Sequence, residues 1–116
     1  MPADYAVIQD GKVRLTENVD TKEVSFTAPG FDPSKPPILL LVAESRISDD
    51  PNIGLSIRVN GGQSETFRFK TDERHSLHAI LDPGSINLDD STLVLRLRGT
   101  DGSINVADIV LLYRKS

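Results

Sequence analysis

The chain has 116 residues, 38% of them hydrophobic, which suits one domain over residues 1–116 and is too short for two. It has no cysteine, which excludes disulfides and thiolate metal sites and leaves the cellular location unknown. Thirteen basic and seventeen acidic residues give a net charge of -4, which repels phosphate backbones, so no nucleic-acid partner is expected. The longest apolar run, Ile38 to Ala43, is far shorter than the roughly 20 residues of a membrane-spanning helix, and no secretory signal is visible. We therefore expect a soluble protein with no membrane partner.

Alternation of apolar and polar residues predicts strands from the N-terminus onward. Tyr5 to Gln9 and Lys12 to Thr16 alternate on either side of Asp10-Gly11, a dipeptide that predicts a tight hairpin turn between them. The next strand, 23–28, is followed by the segment 31–37, whose three prolines predict a surface crossover between sheets.

The middle of the chain predicts a central strand followed by a hairpin. Ile38 to Ile47 begins as a continuous apolar run and ends in Glu44-Ser45-Arg46, as expected of a buried strand whose far end reaches solvent. Ile53 to Val59 is then joined to Gln63 to Lys70 by Asn60-Gly61-Gly62, a strong hairpin signal.

The last third predicts three more strands, Ser76 to Leu81, Thr92 to Arg98 and Ala107 to Arg114. Apolar residues nowhere recur at helical spacing for three turns, and turn signals return about every 8 to 12 residues. The sequence therefore predicts an all-β protein, a single antiparallel β-sandwich of eight to ten strands. The inward-facing residues predicted for its core are Val13, Leu15, Val24, Phe26, Leu39, Leu41, Leu55, Ile57, Val59, Phe67, Phe69, Leu93, Leu95, Leu97, Ile109 and Leu111.

Basic residues on the predicted strands have two interpretations. They alternate outward and would form a basic stripe if their strands were neighbours: Arg58, Arg68, Lys70, Arg96 and Arg98. Outward Arg and Lys are also the ordinary way in which a sheet keeps its solvent face soluble and its edges unpaired, and this is the interpretation we favour.

No motif of catalysis is present. The chain lacks a Gly-x-Ser-x-Gly elbow, a phosphate loop and a dinucleotide fingerprint. The acidic pairs Asp49-Asp50 and Asp89-Asp90 are adjacent loop residues, not carboxylates that face each other across a cleft. We predict that the chain is not an enzyme.

The two histidines, His75 and His78, are three residues apart near the start of a predicted strand. Strand positions separated by three point to opposite faces, so a shared metal site would require a turn between them. A single His78 that hydrogen bonds on the sheet surface is the simpler interpretation.

A family resemblance lies in residues 38–113. The loop Asp82 to Asn87, the strand Leu93 to Leu97, a glycine turn and the terminal stretch Ile104 to Tyr113 together resemble the end of galactose-binding-like jelly-roll domains. That group includes many carbohydrate-binding modules. The resemblance implies a jelly-roll sandwich that acts as a non-catalytic binding module for a carbohydrate or similar polar ligand.

The resemblance also implies a structural calcium ion, and no other cofactor is expected. An Asp in the closing strand helps to hold calcium in several such modules, and Asp108 stands at the matching place. Calcium needs six to eight oxygen ligands, so an acidic partner near the N-terminus is required, and Glu17, with Asp20 as an alternative, is the candidate. The competing interpretation is that Asp108 caps or hydrogen bonds a neighbouring turn.

Ligand contacts are predicted in three loops, 48–52, 72–75 and 82–90, at the ends of the sandwich. The candidate ligand-binding residues are Asp49, Asn52, Arg74, His75, Asn87, Asp89 and Tyr113. Tyr113 is the best candidate for an exposed aromatic ring, and a buried Tyr113 with a satisfied hydroxyl is the alternative. Phe67 and Phe69 share one face and are assigned to the core.

A second hypothesis is an assembly role, in which the domain packs against copies of itself as a homo-oligomer, or against a protein partner in a larger particle. It is motivated by the continuous apolar strand from Ile38 to Ala43, which could reach past the core.

Overall fold

The computed structural model describes residues 3–16, 18–47, 53–62, 64–69, 72–87, 89–99 and 102–115. These residues form eight strands and one 3-10 turn. The strands are β1 (Ala3–Leu15), β2 (Thr21–Phe26), β3 (Ile38–Ile47), β4 (Ile53–Val59), β5 (Glu65–Phe69), β6 (Glu73–Ile80), β7 (Ser91–Arg98) and β8 (Gly102–Arg114), with the 3-10 turn at Pro83–Ser85. No helix among the described residues is long and apolar enough to cross a bilayer.

The strands form two antiparallel four-stranded sheets, sheet A in the order β1-β8-β3-β6 and sheet B in the order β2-β7-β4-β5. β1 pairs with β8, β2 with β7, β3 with β6 and β4 with β5. This nested pairing is that of one long antiparallel ribbon wound into two sheets, which is the jelly-roll arrangement. The predicted fold class is therefore confirmed.

Strand β1 corrects the predicted N-terminal hairpin. Residues Ala3–Leu15 run as one strand beside β8, and its pairing register shifts between Val7 and Gln9 and again between Gln9 and Lys12. Gly11 has φ +96 in this irregular stretch. The Asp10-Gly11 signal thus marks a bulge, which uses the same left-handed backbone as a tight turn but leaves the strand direction unchanged.

Strand β8 begins five residues earlier than predicted, at Gly102. Ile104 and Val106 point into the core, and further along the strand Ile109 and Leu111 do so, so the inward parity changes between them. The change occurs at Asp108, which has φ +53 next to a register shift between β8 and its neighbours. Because the bulge changes which residues face inward, the apolar and polar residues of β8 do not alternate continuously along its length. The part of the strand before the bulge was therefore not predicted from alternation.

The sandwich has two ends, which the pairing of β1 with β8 defines. We call the end where β1 begins, with Ala3 beside Arg114, the terminal end, and the end where β1 finishes at Leu15 the distal end. The chain crosses from β2 to β3 at the terminal end, and β1 is joined to β2 at the distal end. The predicted crossover 31–37 is confirmed, although Phe31 within it is buried, where it packs edge-on against Tyr113 with ring centroids 6.1 Å apart.

The core lies between the sheets. All sixteen predicted core residues are buried or, in the case of Val24 and Phe67, partly buried against the core. Burying a large aliphatic or aromatic side chain contributes about 1.5 to 3 kcal/mol, so the many buried side chains account for a stable fold. The buried apolar residues not predicted from the sequence are Ile8, Ala28, Phe31, Ala43, Ile53, Ala79, Ile86, Ile104, Val106 and Tyr113.

Candidate binding site

The residues predicted to bind a ligand do not form one site. Arg74 and His75 lie near the start of β6, at the distal end, whereas Asn87 and Asp89 lie in the connection between β6 and β7, at the terminal end. Asp49 and Asn52, together with the metal candidate Glu17, lie outside the described residues.

His75 and His78 project from opposite faces of β6. Leu77 and Ala79 share the inward side with His75, and the His75 ring stacks on Phe69 of β5 with centroids 6.2 Å apart and planes 22° from parallel. His78 is exposed on the outer face of sheet A, opposite Leu40. The prediction that the two rings diverge is confirmed, and His75 bridges the edges of the two sheets.

Asn87 shapes its own loop. Its backbone N–H donates to Ser91 Oγ at 3.0 Å, and its side-chain amide donates to the carbonyl oxygen of Asp90 at 3.0 Å. The backbone N–H and one hydrogen bond of the side-chain amide are therefore used within the loop, and Asp89 is exposed in the same loop. The contacts of Asn87 account for a structural role.

Tyr113 is buried, with only 4% of its surface exposed, so the prediction of an exposed ring is wrong and the stated alternative holds. Its hydroxyl donates to the carbonyl oxygen of Pro29 at 3.0 Å, which ties the end of β8 to the crossover segment. Burial raises the pKa of this hydroxyl. The inward parity of β8 places the ring in the core because Ile109, Leu111 and Tyr113 alternate together.

Asp108 is exposed at the bulge of β8 and has a left-handed backbone, φ +53. Asp is one of the few side chains that tolerate this conformation, which gives the residue a local structural role at the bulge. Among the described residues there is no group of three or more His, Cys, Asp or Glu side chains that could hold a metal ion.

A broad concave surface of described residues lies along the edge where β1 of sheet A meets β2 of sheet B, at the terminal end. This cavity, which we call the Tyr5 groove, measures about 620 Å³. Its lining includes Asp4, Tyr5 and Lys115 on the side of sheet A, and Ser25, Thr27 and Asp90 on the opposite side. Tyr5 is 63% exposed and is the aromatic ring that the groove presents to solvent.

An ion pair organises one wall of the groove. Lys115 Nζ lies 3.0 Å from Asp4 Oδ2, and Asp4 Oδ1 accepts a 2.8 Å hydrogen bond from the backbone N–H of Tyr5. The hydrogen bond with Lys115 is the main reason that the pKa of Asp4 is lowered, and the same bond raises the pKa of Lys115. The wall therefore offers a carboxylate and an ammonium group side by side, in a groove that Tyr5 also lines.

The sequence pattern could not single out Tyr5. Tyr5 and Val7 alternate with Ala6 and Ile8, so both faces of this stretch are apolar and period two alone does not say which face is covered. Ile8 is buried while Tyr5 and Val7 are 63% and 56% exposed. Which of the two faces is exposed is decided only by the pairing of β1 at the edge of sheet A.

The outer faces of the two sheets differ in character. On sheet A the register aligns Tyr5, Leu112, Ile38 and Ile80 in one row across all four strands, each at least 36% exposed. We call this the apolar face; its second row consists of Val7, Val110, Leu40 and His78. On sheet B most of the outward residues, apart from Val94 and Gly54, are polar or basic, and they include Arg58, Arg68, Arg96 and Arg98.

No protein-family model and no curated protein matches the sequence. Solved structures do match the fold. The CBM36-1 domain of a multidomain xylanase from the hindgut metagenome of Trinervitermes trinervoides has a TM-score of 0.61 at 12% identity, over 99% of both chains. The carbohydrate-binding module CBM36 in complex with calcium and xylotriose has a TM-score of 0.57 at 13% identity, over 97% of this chain and 99% of that one.

A larger protein contains the same fold. Dimeric latent PorU from Porphyromonas gingivalis matches with a TM-score of 0.69 at 11% identity over 98% of this chain, which spans only 12% of that protein. At these identities the likeness concerns the fold alone. The chain has the β-sandwich fold of carbohydrate-binding modules, as the sequence resemblance implied.

Proposed function

We propose that this chain is a non-catalytic carbohydrate-binding module that holds a short stretch of a glycan in the Tyr5 groove. The exposed ring of Tyr5 beside the Asp4–Lys115 ion pair carries the proposal. Support comes from the fold, which this chain shares with the carbohydrate-binding module CBM36, solved in complex with calcium and xylotriose.

The groove has the size and chemistry that a glycan requires. Its volume of about 620 Å³ falls within the usual range of ligand sites, about 300 to 1,000 Å³. A sugar ring has an apolar face that can pack on the flat ring of Tyr5, and hydroxyls at its edge. Asp4 and Asp90 would accept hydrogen bonds from those hydroxyls, Lys115 would donate, and Ser25 and Thr27 can do both.

The test compares Tyr5→Ala with Tyr5→Phe, a control that keeps the ring. Calorimetric titration with xylotriose and with a panel of other trisaccharides should show binding at least about tenfold weaker for Tyr5→Ala, because the stacking surface is lost. Tyr5→Phe should stay within about threefold of the parent chain. A glycan array that shows no binding to any sugar, with and without calcium, would overturn the proposal.

The family resemblance of the sequence also implies a structural calcium ion, so binding is measured both with and without calcium. The proposed calcium site combines Asp108 with Glu17, and Glu17 lies outside the described residues. If calcium binds there, the melting temperature should rise on addition of calcium and fall with a chelator, and Asp108→Asn should remove the shift. A shift that persists in Asp108→Asn would contradict the assignment.

A second candidate function, self-assembly, is favoured by the apolar face of sheet A. The first part of β3 is apolar on both sides: Leu39, Leu41 and Ala43 face inward and are buried, while Ile38 and the half-buried Leu40 face outward. Strands that are apolar on both sides are normally buried on both. A face four strands wide and eight residues long measures roughly 19 by 26 Å, or about 490 Å², so an interface over it would belong to the small class, below the standard value of about 800 Å² per partner.

We propose a second copy of this chain as the occupant of the apolar face. The terminal half of the face is apolar and the distal half is charged, with Glu44 and Arg46 paired at 2.7 Å, so two copies related by a two-fold axis can match apolar to apolar. Light scattering at high concentration should give the mass of a dimer, and Ile80→Lys should give a monomer. Val19→Lys, at a site equally exposed but away from the face, should leave the dimer intact. A strictly monomeric parent chain would rule this function out.

A further inference from the structure

The outer face of sheet B gathers the basic residues that the sequence scattered over three strands. Arg58 lies on β4, Arg68 on β5, and Arg96 and Arg98 on β7, and these strands are adjacent in the order β7-β4-β5. We call these four exposed residues the arginine face. The condition for a basic stripe, that the strands be neighbours, is therefore met for these four, while Lys70 lies outside the described residues.

The arginine face has a trough along its middle strand. Gly54 and Ser56 of β4 point outward but are buried between the neighbouring strands β5 and β7. Gly54 pairs with Arg98 on one side and Arg68 on the other, and a Cβ placed on Gly54 would lie 3.8 Å from Arg68 Cδ. The small residues of β4 that precede Arg58, with arginines on both flanking strands, make a shallow channel across this part of the face.

Hydroxyl groups lie beside the arginines. A cavity of about 110 Å³ on this face is lined by Ser56, Ser64 and Val94 together with three of the arginines, Arg58, Arg96 and Arg98. Thr66 and Thr92 lie on the same face. The trough therefore combines fixed positive charge with small groups that can donate and accept hydrogen bonds.

Little negative charge offsets these arginines. Glu23, opposite Val94, is the one acidic residue that the register places on the outer face among the described residues. None of the four arginines pairs with a carboxylate of a described residue. In a chain whose net charge is -4, this face is a local reversal of sign, and its guanidinium groups are free to receive an external anion.

We propose that the arginine face binds an acidic polysaccharide, whose carboxylate or sulfate groups pair with the guanidinium groups while its hydroxyls contact the serines and threonines. Arg holds such oxyanions in paired hydrogen bonds of fixed geometry. Single-stranded nucleic acid is disfavoured because no described outward residue of sheet B is aromatic, and binding of that kind relies on stacked bases. Duplex binding needs an element that enters a groove, and this face is shallow. The site is separate from the Tyr5 groove and does not depend on it.

The experiment measures binding of polygalacturonate, a carboxylated chain, and dextran sulfate, a sulfated one, with neutral dextran as the blank. The variant Arg96→Gln/Arg98→Gln should weaken binding of at least one acidic chain about tenfold or more. The charge-matched variant Lys12→Gln/Arg14→Gln, on the outer face of sheet A, should stay within about twofold. Both substitutions replace exposed residues, and a circular dichroism melt confirms that each variant folds.

Each outcome has a consequence. If Arg96→Gln/Arg98→Gln weakens binding of the carboxylated chain alone, the anion recognised is a uronate. If it weakens binding of the sulfated chain alone, the ligand is a sulfated glycan. If both double variants lose the same amount of binding affinity, only net charge matters and the proposal is overturned. The proposal is also overturned if the parent chain binds neutral dextran as tightly as it binds the acidic polysaccharides. Displacement of the polysaccharide by an equal charge of single-stranded DNA also overturns it in favour of nucleic acid. Tyr5→Ala should leave this binding unchanged, so a failed groove and a failed arginine face are told apart.

Discussion

Single residues hold the terminal end of the sandwich together, and Asn60 is the clearest example. Its side-chain amide donates to the carbonyl oxygen of Ser85 at 2.7 Å, and its Oδ1 accepts from the backbone N–H of Thr92 at 2.8 Å. Its backbone has φ +50, which Asn tolerates better than most residues. One side chain thus joins the β4–β5 turn, the 3-10 turn and β7.

Replacing Asn60 tests this arrangement. Asn60→Ala should lower the free energy of unfolding by about 1 to 3 kcal/mol, since two hydrogen bonds are lost and alanine disfavours the left-handed backbone. Asn60→Gly loses the same bonds but not the backbone tolerance, so it should cost less. Urea unfolding of both variants measures the difference, and equal losses would show that the backbone conformation contributes nothing.

The Asp4–Lys115 pair predicts a defined pH response. The pKa of Asp4 is lowered, so the stabilisation from this carboxylate is present above about pH 4 and is lost as the pH falls through the folded pKa. The pKa of Lys115 is raised, so its part is present below about pH 10 and is lost as the pH rises further. Between these limits the pair contributes a constant amount.

Lys115→Gln should therefore raise the pKa of Asp4 toward the usual aspartate value. A carboxyl NMR titration of the parent chain and the variant measures the shift directly. Asp20 is a reference within the same spectrum, because it lies in the β1–β2 connection at the distal end. An unchanged Asp4 titration would mean that the backbone N–H of Tyr5, which also donates to this carboxyl group, accounts for the low value.

At the scale of elements, close approach between strands constrains the start of β8. A Cβ added to Gly102 would lie 2.8 Å from the backbone oxygen of Arg46 in β3 and 2.9 Å from Ile53 Cδ1. Gly102→Ala should cost about 1 to 3 kcal/mol because a strand has to shift. Gly84→Ala is the control, since its nearest atom lies at 3.4 Å in a flexible side chain, and it should cost well under about 1 kcal/mol. Denaturant midpoints that agree for the two variants would contradict this account.

Elements also show where reading the sequence succeeds. β3 (Ile38–Ile47) and β4 (Ile53–Val59) have the predicted bounds, because unbroken apolar or alternating residues run between clear turn signals. β1 and β8 differ from prediction at their bulges. A residue in left-handed conformation, Gly11 or Asp108, interrupts alternation locally while pairing continues, and the sequence cannot distinguish this from a turn.

At the scale of the whole molecule, the two-sheet architecture was predictable and the site was not. Alternation determines which side chains share a face of one strand, so the inward-facing core residues could be predicted from it. Which residues become neighbours on the face of a sheet depends on strand pairing between residues far apart in sequence, such as Tyr5 with Leu112 in sheet A. Alternation does not encode this pairing. The Tyr5 groove, the apolar face and the arginine face all arise from such pairing, which is why each was visible only as scattered residues.

The pairing of β1 with β8 has a mechanical consequence. These strands are antiparallel neighbours with Ala3 beside Arg114, so both ends of the described chain leave the sandwich from the same end. A load applied between those ends acts across the inter-strand hydrogen bonds and parts them one after another from Ala3 inward, instead of stressing all of them at once along the strands. When the domain is pulled by its two chain ends, we therefore expect unfolding at low force, because the hydrogen bonds between β1 and β8 break one at a time. Pulling the terminal end against the distal end would load all of these hydrogen bonds in shear, and the unfolding force would be higher.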